Sequence, residues 1–376
     1  MAKGAYIGVD GVARKVKKGY VGVSGVARKI KKAYIGIGGV ARPCWSGGEL
    51  AYYGQITSLS ASKGHLAATS VGDYALFGGG RTASSGHSNV VDAYSKTLAR
   101  TTPSALTQAR RELAASHVGN YALFAGGYYG SGWTNTVDAY NQSLSRSTPS
   151  TLRDSVSGLA GASVGDYALF AGGENDGTLY NTVTAYNSSL VKTAPSVLTN
   201  GRCYLVGASV GDYALFAGGY TVSYGAKVDA YSTTLAKTTP TTLSAARYNL
   251  AGASTGSYAL FAGGYNSKDY ATVDAYNKNL VRTTPTALSV GRRELTGVSM
   301  TGYAIFAGGI ATISGTQTGQ TTVDAYNDSL TRINPTALGT ACVAGAGASV
   351  GDYALVGGNY QNSSNKHGLV YAYVVS

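Results

Sequence analysis

Apolar and polar positions alternate in short runs along almost the whole chain, and the runs are too short for helices. Stretches such as Tyr121 to Gly126 and Thr136 to Tyr140 are rich in aromatic and small apolar residues and end in or run into glycine, asparagine or serine, so they read as β-strands. Both recur. The pattern GDYALFAGG sets Tyr74, Tyr121, Tyr167, Tyr213, Tyr258, Tyr303 and Tyr353 at intervals of 45 to 50 residues. A second pattern, VDAYN, keeps step through Tyr94, Tyr140, Tyr186, Tyr231, Tyr276 and Tyr326, with a degenerate VYAY ending at Tyr373. A period in the forties with a double glycine closing an apolar strand predicts β-propeller blades, because each small sheet buries its faces only against its neighbours. One copy supplies four strands, LAGAS, YALFAG, TVDAY and LVRTT. The seventh copy has no outer strand after VYAYVV, and residues 51 to 56 are expected to supply it, closing a ring with no free edge.

Residues 1 to 42 follow a shorter rule. AYIGVDGVARKVKKG, YVGVSGVARKIKKA and YIGIGGVARPCWSGG set Tyr6, Tyr20 and Tyr34 fourteen apart, and Asp10-Gly11, Ser24-Gly25 and Gly38-Gly39 are two-residue turn candidates. Each unit reads as a hairpin, and residues 43 to 50 read as the linker to the repeat domain at 51 to 376. Small hairpins are marginal alone, so their Ile/Val face needs cover.

Composition agrees with many short strands, since 53 glycines accompany only seven prolines. The net charge of +12 changes the picture only when divided: residues 1 to 48 hold ten Lys and Arg against Asp10, and the other residues hold 20 basic and 17 acidic groups. The basic character therefore belongs to the hairpins. Arg14, Lys15, Lys17, Lys18, Arg28, Lys29, Lys31 and Lys32 read either as a solvated face or as a docking surface for an acidic protein assembly. Nucleic-acid contact is the weakest of the readings, because only one tyrosine per unit accompanies the charge. No apolar run is long enough for a membrane span and no secretory leader is visible, so neither membrane insertion nor export by the usual route is expected. Cys44, Cys203 and Cys342 have no metal-like spacing and are expected to be buried thiols.

The passage from double glycine to spaced tyrosine, then through a proline-containing loop to an arginine, resembles the kelch family over residues 51 to 376. The resemblance implies an all-β fold, a seven-bladed kelch-like β-propeller, here preceded by a small β-hairpin or meander segment. The family's tryptophan after the tyrosine is missing, with residues such as Leu280 and Arg282 in its place, so the outer packing is expected to differ.

Between the double glycine and VDAY the copies diverge: RTASSGHSN, YYGSGWTN, ENDGTLYN, YTVSYGAK, YNSKDYA, IATISGTQTGQT and NYQNSSNKHG. Strand alternation puts all seven stretches on one face of the ring. Their mix of Tyr, Ser, Gly and Asn suits recognition loops, although surface loops also drift wherever packing is slack. The candidate ligand contacts are Tyr128, Tyr129, Trp133, Asn175, Tyr180, Tyr220, Tyr224, Tyr265, Asn266, Tyr270, Tyr360 and Asn362. Arg110, Arg202, Arg247 and Arg292, with Lys63 in the first copy, either ring the channel mouth and attract an anionic ligand or pack and brace loops.

Catalytic chemistry finds little support. His65, His87, His117 and His367 form no metal-binding pair, so no metal and no cofactor is expected. Glu174 and Asp176 stand in one copy and Asp269 in another, which gives a glycosidase pair little support. The tandem basic hairpins, the PCWSGG linker and the ring together resemble virion-associated proteins of phages and prophages. That resemblance implies a non-enzymatic tail or virion protein, assembled in the host cytoplasm, anchored to other virion proteins by its hairpins and binding a host-surface glycan or protein with its variable face. A structural decoration or assembly protein is the alternative, and homo-oligomerisation stays open.

Overall fold

The computed structural model describes residues 49–82, 86–362 and 364–375 with their side chains, together with the backbone of six strands in the N-terminal segment. Those six strands pair as three antiparallel hairpins: Tyr6–Val9 with Val12–Lys15, Gly19–Val23 with Val26–Ile30, and Lys32–Ile37 with Val40–Ser46. The register repeats, with Val9 opposite Val12, Val23 opposite Val26 and Ile37 opposite Val40. Pro43 to Ser46, expected as linker, continue the last hairpin's second strand, which has a register shift between Ala33 and Tyr34. The turn pairs themselves, with Lys17, Lys18 and Lys31, lie outside the described residues, as do the side chains of Arg14, Lys15, Arg28, Lys29, Lys32 and Cys44.

The repeats form seven four-stranded antiparallel sheets, and the described residues contain no helix. Blade 2 is typical: inner strand Ala114–Val118, second strand Tyr121–Ala125, third strand Val137–Asn141 and a two-residue outer strand Arg146–Ser147. Each inner strand touches the next, and that of blade 7, Ala346–Val350, touches that of blade 1, Ala67–Val71, so the ring is closed. In blade 7 the outer strand is Leu50–Ile56, as the missing final strand predicts.

Strand alternation explains the packing. In blade 2, Leu123, Val137 and Ala139 point towards blade 3 and meet Ala168, Phe170 and Tyr186 there. The same join recurs between blades 1 and 2, 3 and 4, 4 and 5, 5 and 6, and 7 and 1. The VDAY tyrosines are fully buried, and each hydroxyl donates to a loop carbonyl: Tyr140 to Ser104 at 2.7 Å, Tyr231 to Ser196 at 2.7 Å, Tyr326 to Thr286 at 2.7 Å. Burial pushes these phenols well above their ordinary range.

The basic residues before the inner strands do not ring the channel mouth. Lys63, Arg110, Arg202, Arg247 and Arg292 are 0% exposed and pair with the equally buried Asp92, Asp138, Asp229, Asp274 and Asp324 at 2.8 to 3.1 Å. In four of them the guanidinium also donates to the second strand's Phe carbonyl, as from Arg247 to Phe261 at 3.1 Å. Each aspartate in addition accepts the backbone N–H of Ser60, Thr107, Thr199, Ser244 or Ser289 in the incoming loop. Three residues from separate parts of one repeat thus pin the interblade loop to the third strand.

Two blades lack the arrangement, and both lack all of it. Blade 3 has Arg153, Val156 and Thr184 at the three positions, and blade 7 has Gly339, Cys342 and Tyr371. A buried charge without its partner is costly, so the partners come and go together. In blade 7 the Tyr371 ring lies against Gly339, and the Cys342 thiol donates to the Gly358 carbonyl at 3.0 Å. Cys203 and Cys342 are buried free thiols, and burial pushes both up to about 12.

Arg247→Val or Asp274→Thr alone is expected to destabilise the ring by about 3–5 kcal/mol, since each takes the closest partner from a fully buried charge. The double variant, which copies blade 3, should lose less than either single variant in chemical denaturation. Burial raises the Asp229 carboxyl, but the Thr199 hydroxyl, Arg202 and Lys237 outweigh it and hold it below its ordinary value of 3.8. Its contribution to stability is therefore complete above that pH and disappears as the pH falls through the depressed pKa. Asp229→Asn should be less stable at pH 7 and show a flatter stability profile below pH 4, measured by thermal melts across pH.

Candidate functional site

Two residues separate the buried basic position, Val156 in blade 3 and Cys342 in blade 7, from the leucine before the inner strand, Gly345 in blade 7, and the second of the two is left-handed in every blade. His65, Glu112, Gly158, Tyr204, Asn249, Glu294 and Ala344 have φ between 49° and 63°. Six of the seven are not glycine, and each such residue costs about 1 kcal/mol in that conformation. What holds them there is a cycle of backbone hydrogen bonds. Glu112 donates to His65, Gly158 to Glu112, Tyr204 to Gly158, Asn249 to Tyr204, Glu294 to Asn249, Ala344 to Glu294 and His65 to Ala344, at 2.7 to 3.2 Å.

The ring encircles the channel mouth and lines a cavity of about 340 Å³. Its backbone N–H groups are spent on one another, so the chemistry of the cavity belongs to the side chains. The Tyr204 hydroxyl reaches two blades back to Glu112 Oε2 at 3.4 Å, lying over Gly158. A Cβ on Gly158 would stand 3.1 Å from the Tyr204 ring, so glycine is what admits this crossing. Asn249 Nδ2 donates to Glu294 Oε1 at 3.4 Å, and Arg111 Nε donates to Glu112 Oε1 at 3.3 Å. Burial, together with the charges of Glu112 and Asp269, raises the Glu294 carboxyl above its ordinary value in spite of Arg293. Burial lowers the His65 imidazole, with Arg111 and Arg81 adding to it against Glu112, so the ring is neutral near pH 7.

A second layer surrounds the cavity. The residue before each ring member pairs by backbone with the first residue of a variable stretch: Arg111 with Tyr128, Ser157 with Glu174, Cys203 with Tyr220, Tyr248 with Tyr265, and Arg293 with Ile310. The variable loops therefore flank the channel mouth on one face, as strand alternation requires. On blades 4 and 5 they build an aromatic collar. Tyr224 stacks on Tyr248 at 5.9 Å and 11°, Tyr220 and Tyr265 meet Tyr248 edge-on at 5.8 and 5.9 Å, and Arg293 lies 4.8 Å over Tyr265. Tyr220 and Tyr224 are 41% and 37% exposed.

The other expected contacts divide into surface groups and braces. Tyr128 meets Trp133 edge-on at 5.4 Å beneath the Arg111 guanidinium, and Trp133 Nε1 donates to Glu174 at 3.3 Å. Tyr129 folds over Gly132, and Tyr270 lies beside the Lys268 ammonium. Asn175 and Asn266 donate to the Ser155 and Ala246 carbonyls and brace adjacent loops, while Asn362 caps its own turn. Tyr180 packs on the join between blades 2 and 3. Tyr360 is buried under the Arg81 guanidinium, 4.5 Å from its ring.

Sequence reading passed over the ring residues themselves. Their signal is a position that changes from His to Glu, Gly, Tyr, Asn, Glu and Ala directly before a leucine kept in six of the seven copies. The acidic candidates stand apart, because Asp269 is taken by Arg293 at 2.6 Å and Glu174 by Trp133 and Ser157. Among the described residues no group of three or more His, Cys, Asp or Glu could hold a metal ion.

Burial makes the charged form of Glu294 costly in the folded chain, so Glu294→Gln should raise the melting temperature at pH 7. The gain should shrink as the pH falls and vanish below 4.5, where the unfolded carboxyl is protonated as well. Compared with known proteins, the chain matches no family and no curated protein sequence, so its reading rests on the geometry of this face.

Proposed function

We propose that the protein is a non-enzymatic receptor-binding protein of a phage particle, in which the variable face of the propeller recognises a host-surface glycan. The observation that carries this reading is the contrast between the two faces. One face repeats the same short turns, with Asn141, Asn187, Asn277 and Asn327 each accepting two backbone N–H groups at 2.9 to 3.1 Å. The other gathers a cavity, an aromatic collar with exposed Tyr220 and Tyr224, and loops that differ in every blade. Rigid aromatic area beside small polar groups suits sugars, whose rings have apolar faces and hydroxyl edges.

The attachment half of the proposal draws on the hairpins. Residues 1 to 48 hold ten basic residues against a single acidic one, and their three hairpins share a matching register, a cationic repeat suited to an acidic protein assembly. Several copies on one particle would multiply modest single-site affinities.

The test uses the full chain, fluorescently labelled, on a panel of bacterial cells and immobilised surface glycans. Replacing Tyr220 and Tyr224 together by Ala should weaken single-site affinity about 10- to 100-fold, at about 1 kcal/mol per ring, with an unchanged melting temperature. Undiminished binding by that variant would sink this placement of the site. Exchanging Lys15 and Lys29 for Glu should leave glycan binding intact and reduce incorporation into particles.

A further inference from the structure

We propose that the cavity at the channel mouth binds the protonated amine of an amino sugar, with Glu294 as its counter-ion and the Tyr204 ring beside the sugar. This rests on the reading of the variable face as a glycan-binding face and names the class of sugar.

Three features of the cavity lead to that class. The first is its closed backbone cycle, in which every ring N–H is already donated to a neighbouring carbonyl. An anion would find no amide donors there, unlike the helix termini and glycine-rich loops that hold phosphates. The second is the imbalance of the side chains. Two carboxylates line the cavity and none of its lining residues is Lys or Arg. Glu112 has Arg111 at 3.3 Å, whereas among the described residues Glu294 accepts a hydrogen bond only from the Asn249 amide, and the nearby Arg293 is drawn to Asp269 at 2.6 Å and lies over Tyr265. The third is His65, which lines the same cavity and whose imbalance is of another kind: its imidazole makes no hydrogen bond among the described residues. A neutral imidazole offers one donor and one acceptor, which suits a hydroxyl.

A ligand that completes the cavity therefore carries a positive donor for Glu294 and hydroxyls for His65. It also needs an apolar face for Tyr204, which spans the rim between blades 4 and 2. An amino sugar has all three, and a cavity of about 340 Å³ is at the lower end of the usual range for small-molecule sites. A bare metal ion fits poorly, because Glu112 and Glu294 do not converge with a third ligand. A lysine side chain would supply the charge without hydroxyls for His65.

The experiment is isothermal titration calorimetry of the full chain with three trisaccharides of one β-1,4-linked backbone, made of glucosamine, N-acetylglucosamine or glucose, beside Nα-acetyl-lysine amide. The glucosamine trimer should bind about tenfold or more tighter than the other two, and added salt should weaken it. Glu294→Gln, checked by thermal melt, should remove the preference, and His65→Ala should weaken binding without removing it. Equal affinity for the three trimers, binding by none, or an undiminished preference in Glu294→Gln would overturn the proposal. Equally tight binding of the lysine derivative would overturn the sugar assignment. Cell binding that depends on Tyr220 and Tyr224 without any amine preference would overturn this inference alone. Binding of the glucosamine trimer by a chain that binds no cells would instead overturn the receptor reading.

Discussion

A salt bridge in the interior of each of five blades organises the propeller. Burying a guanidinium or ammonium with a carboxylate gives little net stability against a well-packed apolar alternative, but leaving either alone costs several kcal/mol. The pair is therefore better understood as a constraint on geometry than as a source of stability. Asp274 takes Arg247, the Ser244 N–H and the Ser244 hydroxyl at once, so the incoming loop, the inner strand's approach and the third strand are fixed to a single point. Everything nearer the channel inherits its position from that point. Blades 3 and 7 do without it, carrying Val156 and Thr184, or Cys342 and Tyr371, at the two positions, and the same strand order results.

Fixed in this way, the loops can hold the left-handed ring at the channel mouth. A side chain such as Glu112 or Tyr204 would not choose φ near 50° unaided, and the cycle of hydrogen bonds supplies the compensation. The scaffold and the chemistry thus separate cleanly. Backbone atoms hold the ring, and the side chains of its members, with the leucine that follows in six blades, line the cavity.

That separation also explains what the sequence could tell. Repetition made the blades, their number, the strand order and the closing strand Leu50–Ile56 legible, because packing demands the same residue at the same place seven times. The role of Arg247 was harder, since a repeated arginine near a channel can face inward to a ligand or into the blade. Only its distance to Asp274 distinguishes the two. The ring was harder still, because repeat reading looks for sameness and its members share a conformation rather than a side chain. Tyrosines in the variable stretches looked alike in sequence, yet Tyr360 is buried and Tyr220 is open, a difference set by which neighbouring loop folds over each.

The strand that completes blade 7 comes from the opposite end of the ring. Leu50–Ile56 shares a sheet with Lys366–Val375, and at their nearest ends the two are 310 residues apart in sequence, from 56 to 366. In an open stack of repeats, order can spread outward from any point and the last unit adds little to the first. Here the final sheet cannot form until Lys366–Val375 has been made, and closing so long a loop exacts its entropy in a single late event. Folding of the nascent chain must therefore pass through an interval in which blade 1 has no seventh neighbour and its apolar face waits uncovered.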